Sequence, residues 1–368
     1  MNIFLWGQRN IYGGGIHFAN FSDALKKVSL IKDMVVEIDI RGQNLELIAS
    51  NSKDNDVHIF FFPLDVNLNL KGKVIKWGIF ESNLLTEEYI DYLTKCHLVW
   101  VPSGWAKKVL IDHGLKNNKV DVVPEGVDPT IFHPFNFNFF EQDDIFRFYM
   151  IGKNEHRKGI KELLEGFKLA YDNDPNVKLF LKADNFWSDR NKNTDKNNEL
   201  LSLINDYGLT NVKLLTGKLT LSEISMIHAC SDVFIFPTRA EGWGLPLIEA
   251  IAAGSPVITN YYSGQTEYLQ HVSNQIKMLD FSVCSIHKEE LISNVKFGAE
   301  WAISSIDSIA SSMTSIKNDY SNFKVKAILA SEFIRKNFSW NNSADEAFKS
   351  LFKNKFLNIK VEKPFYSF

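Results

Sequence analysis

At 368 residues, with 45% apolar and 23% charged content, the chain is too long for one compact core and has the composition of a folded protein of two domains. Its formal net charge of −3 excludes the basic excess that an obligate nucleic-acid partner needs, although local basic patches leave a weak peripheral membrane contact open. Cys96, Cys230 and Cys284 are widely spaced and make no C-x-x-C pair, which argues against a disulfide framework or structural zinc and for a reducing compartment.

The opening residues MNIFLW carry no basic leader, and no segment approaches the roughly 18 apolar residues of a membrane span. The expected location is therefore the cytoplasm, with the inner face of a membrane as an option. Short apolar runs predict strands over 3–6, 35–39, 58–61, 74–79, 98–101 and 120–123, with helical patterns over 18–31 and 105–113. Ser103 is placed to cap the second of these helices. Strands apolar on both faces, interleaved with helices, indicate a parallel sheet covered on two sides.

The stretch 129–144, PTIFHPFNFNFFEQDD, has no usable period and reads as the connection between domains, with phenylalanines that imply packing. The alternation then restarts. Strands are expected over 148–151, 177–181, 212–215, 233–236 and 256–259, and helices over 160–171, 199–207, 221–230 and 246–253. The polar stretch 184–198 reads as a mobile surface excursion, and the chain after Ile286 as mostly helical. Two such arrays in tandem predict two Rossmann-like domains, 1–135 and 145–340, with a C-terminal helix inside 344–368 that packs back on the first. Ligands of such sheets lie beyond the carboxyl ends of the strands, so two facing edges make a cleft.

The most informative segment is VFIFPTRAEGWGLPLIEAIAAGSPVIT, 233–259, which reads as strand, loop, helix, strand. Gly242 and Gly244 allow close backbone approach, Pro246 suits the start of the helix, and Gly254 suits its stop. The loop thus turns a helix N-terminus, a good phosphate site, toward the cleft. Glu241 and Glu249 stand near it, and adjacent hydroxyls of a ribose or a sugar are the donors that would stabilise carboxylates there. Either glutamate alone is more simply a solvated surface residue; the arrangement as a whole is what points to a site.

A second element, IGKNEHRKGI at 151–160, places cations between a strand and a helix, where they oppose the helix dipole unless an anion is bound. A third, Gly13-Gly14-Gly15-Ile16-His17, is a Gly-rich loop after the first strand or simply a flexible turn. Its spacing does not make G-x-G-x-x-G, although Glu37 and Asp39 keep the dinucleotide reading from being closed. Asp172-Asn173-Asp174 is a D-x-D followed by Pro175, and reads as a turn. The histidines show no metal-binding spacing, so neither a metal nor a cofactor is expected.

On these residues the sequence resembles the retaining GT-B glycosyltransferases, the family of group 1 enzymes that includes mannosyl- and glucosyltransferases of surface-glycan assembly. EGWGLPLIEAIAAGSPVI looks like that family's two glutamates separated by seven residues. VPSGWAKKVL, VDVVPEGVDPTIFHP, IGKNEHRKGIKELLEGF and LTGKLTLSEISMIHACSDVFIFPTRAEGWG extend the likeness over most of 98–267. The resemblance implies that Glu241 contacts the donor sugar and Glu249 the nucleotide ribose, while Lys153 and Lys158 hold the phosphates with Arg157 in reserve. It also implies that Gly15, Gly217, Lys218, Leu219, Gly242, Trp243, Gly244 and Leu245 line the donor, a nucleotide-diphosphate hexose. Where several members have a histidine after the fourth strand, this chain has Glu81, either a catalytic carboxylate or a helix-start acid. His17 is the candidate on the acceptor side. The acceptor would be a glycan, a lipid-linked sugar or a protein. A nucleotide-sugar epimerase and a silent nucleotide-sugar-binding module are the rival readings.

Overall fold

Six strands form the first sheet: β1 (Ile3–Gly7), β2 (Val35–Asp39), β3 (Val57–Phe60), β4 (Lys73–Trp77), β5 (Leu98–Val101) and β6 (Val120–Val122). They run in the order β2-β1-β3-β4-β5-β6, and every pairing is parallel. Helices α1 (Gly13–Leu25), α2 (Leu45–Ser50), α3 (Glu87–Lys95) and α4 (Gly104–Asp112) connect them. The computed structural model describes residues 1–10, 13–62, 68–135, 144–183, 196–292 and 294–357. β3 and β5 are buried along their whole length, the condition of strands covered on both faces.

The second sheet contains β7 (Phe146–Ile151), β8 (Val177–Lys182), β9 (Val212–Leu214), β10 (Val233–Phe236), β11 (Val257–Thr259) and β12 (Lys277–Met278). Its order is β12-β11-β10-β7-β8-β9, again all parallel. The helices between them are α5 (Ile160–Tyr171), α6 (Lys196–Asp206), α7 (Leu221–Ala229), α8 (Leu245–Ala252) and α9 (Thr266–Val272). Counted from β7 the arrangement is the doubly wound 3-2-1-4-5-6, whose direction reverses between β7 and β10.

After β12 the chain forms a two-stranded antiparallel unit, β13 (Phe281–Ser285) with β14 (Glu300–Ser304), then α10 (Ile306–Asn318), α11 (Tyr320–Asn337) and α12 (Trp340–Lys353). The last helix returns to the first sheet, where Trp340, Ala344, Ala347 and Leu351 complete the core around Ile3, Leu5, Trp77 and Trp100. Trp100 Nε1 donates to Ser350 Oγ at 2.8 Å, and Ser350 Oγ donates to Asp121 at 2.7 Å, which anchors that helix to β5 and β6.

Most expected strands and helices stand within a few residues of their place, and two expectations need correction. Gly13–Gly15 are not a loop: they form the first turn of α1, which ends at Leu25 rather than Ile31. The region after Ile286 is mostly helical as expected, through α10, α11 and α12, and β14 within it pairs with β13 and sends Trp301 into a small core with Ala240, Ile286 and Val295. β13 exposes much of its length, so its alternation was too weak to read. Part of 129–144 packs as expected: Phe132 is 1% exposed in the core of the second sheet, while 136–143 lie outside the described residues. Of the expected excursion 184–198, residues 184–195 lie outside the described residues and Lys196 already begins α6.

Candidate active site

The reversal in the second sheet leaves a crevice at the carboxyl ends of β7 and β10, and both motif-bearing loops emerge there. One loop runs from Gly152 to Gly159 ahead of α5; the other runs from Pro237 to Gly244 ahead of α8. Gly244 has φ of +91°, a left-handed conformation that a side chain disfavours, and Pro246 follows in the first turn of α8. Gly242 lies against Ile79 and Phe80, so this loop faces the first sheet directly.

The two loops join through Glu241. Its Oε1 accepts from Lys158 Nζ at 2.6 Å and from Thr238 Oγ1 at 2.6 Å. Its Oε2 lies 3.0 Å from Arg157 Nη1, and its backbone N–H donates to Ser263 Oγ at 2.8 Å. Burial pushes the carboxyl up, but the charges of Arg157 and Lys158 outweigh it and hold Glu241 at about 2. Burial also lowers Lys158, against the pull of Glu241. Arg157 Nη1 donates to Ala240 O at 2.6 Å and Nη2 to Glu155 at 3.2 Å, while its Nε has no partner among the described residues.

Across the crevice, Glu81 reaches within 3.6 Å of Arg157 Nη2, with 27% of its side chain exposed. Its backbone is held from the second unit, where Trp301 Nε1 donates to Glu81 O at 2.7 Å. Lys153 is the accessible cation of its loop, 42% exposed and 3.7 Å from Glu155. The Glu249 carboxyl has no hydrogen-bond partner among the described residues, and burial alone pushes it up to about 8. Tyr268 feels the charges of Glu241, Glu125 and Glu249 together, so these carboxyls share one neighbourhood.

Other candidates occupy different surroundings. Gly217, with φ of +99°, Lys218 and Leu219 lie in the loop after β9, and the first two are exposed. Trp243 is 2% exposed and turns its ring into the core beside Tyr268 at 5.0 Å and Phe338 at 6.1 Å. Leu245, the first residue of α8, packs against the cores of both sheets. Gly15 is buried in α1 with the Asn10 side chain against it. His17 is 1% exposed, stacked on Trp340 at 5.6 Å and edge-on to Trp77 at 4.3 Å. Burial, then the charge of Lys76, lowers it to about 3, so it is neutral. Asp172 and Asp174 sit in the turn before β8, where Asn173 has φ of 56° and Asp174 accepts from Asn176 N–H. Glu37 is taken up by Arg9, Lys26 and Ser22, which removes it from the dinucleotide reading.

Glu125 was missed by the sequence reading. It follows β6, is 3% exposed, and its Oε2 lies 3.8 Å from His17 Nδ1. Burial, followed by the charges of Glu81 and Glu241, pushes it up to about 8. Its signal was present inside VDVVPEGVDPTIFHP, at the carboxyl end of a strand, but nothing local told it from a turn residue.

Two facing parallel sheets with a terminal helix returned to the first define a GT-B architecture. Residues 134–278 match the model of the family described as Glycosyl transferases group 1. Over 191 residues the chain is 26% identical to mannosylfructose-phosphate synthase of Agrobacterium fabrum, covering 49% of this chain and 41% of that protein. Over 186 residues it is 28% identical to the capsular polysaccharide biosynthesis glycosyltransferase CapM of Staphylococcus aureus, covering 48% and 46%. The matched stretch thus spans less than half of either relative. The solved structure of Anabaena HepE in complex with UDP-glucose superposes with a TM-score of 0.68 at 16% identity, over 95% of this chain and 100% of that one, a likeness of fold. Among the described residues no helix is long and apolar enough to cross a membrane.

Proposed function

We propose that the chain is a retaining glycosyltransferase that moves a hexose from a nucleotide-diphosphate sugar to a glycan, glycolipid or glycoprotein acceptor in surface-glycan assembly. The observation that carries the reading is the ion cluster Lys158–Glu241–Arg157 at the sheet's reversal point, facing Glu81 across the crevice. HepE, of the same fold, binds UDP-glucose, and CapM acts in capsular polysaccharide biosynthesis, which supports both donor class and role.

In this reading Glu249 accepts the ribose hydroxyls, Glu241 the hydroxyls of the donor sugar, and the loop Gly217–Leu219 borders the base. Lys153, Lys158 and Arg157 stabilise the diphosphate as its bond to the anomeric carbon breaks. Lys158 has three N–H donors and gives one to Glu241, so the same ammonium can bridge to phosphate. The acceptor oxygen bonds to the anomeric carbon on the face the diphosphate leaves, and the acceptor proton passes to a phosphate oxygen. Glu81 is placed to stabilise positive charge developing on the sugar. With these cations present, turnover needs no metal.

The test is incubation with UDP- and GDP-hexoses and an oligosaccharide or lipid-linked acceptor mixture, with product anomers read by NMR. The reading expects a new glycosidic bond of the donor's configuration, formed in the presence of chelator. An inverted linkage, free epimerised sugar, or nucleotide binding without product overturns it. Loss of activity in chelator, restored by manganese, overturns the metal-free mechanism alone.

A further inference from the structure

A groove of about 900 Å³ opens between α3–α4 of the first unit and the β13–β14 hairpin of the second. We propose that it is a saccharide subsite holding the sugars of an oligosaccharide acceptor behind the one that reacts. This rests on the transferase reading above.

Two aromatic rings line the groove. Trp105, at the start of α4, and Tyr262 stand with centroids 6.3 Å apart and planes at 59°, both only partly buried. Trp105 is held in place because the N–H of Gly104 donates to Glu267 of the facing unit at 2.6 Å, and Tyr262 because its hydroxyl donates to Glu300 O at 3.2 Å. The indole N–H has no acceptor among the described residues, so it is available to a ligand hydroxyl. Sugar rings present C–H faces that pack on such rings, and hydroxyls that pair with amides and carboxylates. Asn83 and Glu300 supply the latter, tied by Asn83 Nδ2 to Glu300 Oε2 at 3.1 Å and by Glu300 N–H to Asn83 Oδ1 at 2.8 Å.

Charge decides against other occupants. Lys296 is paired with Glu87 at 3.0 Å and Lys108 with Asp112 at 2.7 Å, while Asp91 and Glu300 add further acid. The wall therefore offers no surplus of positive charge to a phosphate or a nucleic acid, and too many carboxylates for an acyl chain. A neutral polyhydroxylated ligand fits both conditions. The volume lies near the upper end of the ~300–1,000 Å³ of small-molecule sites, more than one sugar ring fills. The groove also adjoins the active site: Glu300 lines it, and the next residue, Trp301, holds the Glu81 carbonyl.

The test uses the full chain on an array of immobilised oligosaccharides of one to six residues, comparing wild type with Trp105→Ala and Val283→Arg. Val283 is 46% exposed on the opposite wall, so its replacement blocks the groove without emptying a core. We expect wild-type retention to grow with glycan length. Both variants should lose at least about tenfold on glycans of three or more residues, with unchanged circular dichroism. No retention by wild type, or retention unaffected in both variants, overturns the subsite. The array needs no donor, so this outcome is separate from failure of the transferase reading, which appears as no glycosidic product from any nucleotide sugar.

Discussion

The Lys158 ammonium lies 2.6 Å from the Glu241 carboxylate, and neither side chain is more than 6% exposed. They come from different loops and meet only because β7 and β10 are neighbours in the sheet. The contact keeps an ionised carboxylate where burial alone would favour the neutral acid.

Lys158→Met should therefore raise the Glu241 pKa from about 2 and move the acid limb of the activity profile to higher pH. The sign follows from the depressed carboxyl: its stabilisation is complete above the ordinary value of 4.5 and is lost as pH falls toward 2. Arg157 and Thr238 remain, so the fold should lose only about 1–3 kcal/mol, less than for a fully orphaned buried charge. Urea titrations at several pH values, with single-turnover rates, measure both effects. An unmoved acid limb would remove Lys158 from the control of Glu241.

Glu81→Gln should keep nucleotide affinity and lose most of the turnover, because it removes charge and preserves shape. Among the described residues Glu81 meets the cluster through Arg157 at 3.6 Å, so the substitution leaves Glu249, the group proposed for the ribose, untouched. Calorimetry and single-turnover kinetics on the two proteins decide it; normal turnover would make Glu81 structural.

Glu249→Ala should weaken nucleotide binding by about 1–3 kcal/mol, the scale of hydrogen bonds to a charged group. Its carboxyl, pushed up to about 8 by burial, is protonated in the free protein at neutral pH. If the ionised form accepts the ribose hydroxyls, affinity rises with pH up to about 8 and then levels, whereas Glu249→Gln is flat. The stability of the unliganded fold runs the other way. The folded carboxyl keeps a proton that the unfolded one releases above 4.5, so this contribution is lost as pH rises through about 8. Calorimetry and thermal melts from pH 5 to 9, compared between wild type and Glu249→Gln, read both slopes.

Gly126→Ala tests how α12 is docked. A β-carbon there would stand 2.3 Å from Trp340 N and 2.5 Å from Ser339 C, backbone atoms that have no side-chain freedom to yield. The expected loss is roughly 1–3 kcal/mol, as for other overpacked sites, read as a lower urea midpoint. An unchanged midpoint would mean that the chain at Ser339 and Trp340 moves freely over the first sheet.

Much of the fold was legible because its causes are local. All-apolar runs such as 98–101 report strands covered on both faces, and glycine and proline around α8 report its ends. Glu241 and Glu249 could be named as candidates from their place around the loop ahead of α8, and Lys153 and Lys158 from the family resemblance carried by IGKNEHRKGI. The sequence alone thus determined two βα arrays and the loops at their carboxyl ends. Only the tertiary structure decided what the loop residues do to each other. Arg157 meets Glu81, Glu125 approaches His17, and Trp301 holds Glu81 through pairings between distant segments that no periodicity encodes. The same holds for the Gly13–Gly15 turn, where the N–H and C=O groups of three glycines complete a helix because the following residues bury Phe18 and Phe21 under the sheet. Burial against a partner element, rather than local propensity, set that outcome, and it set the charge states of the site as well.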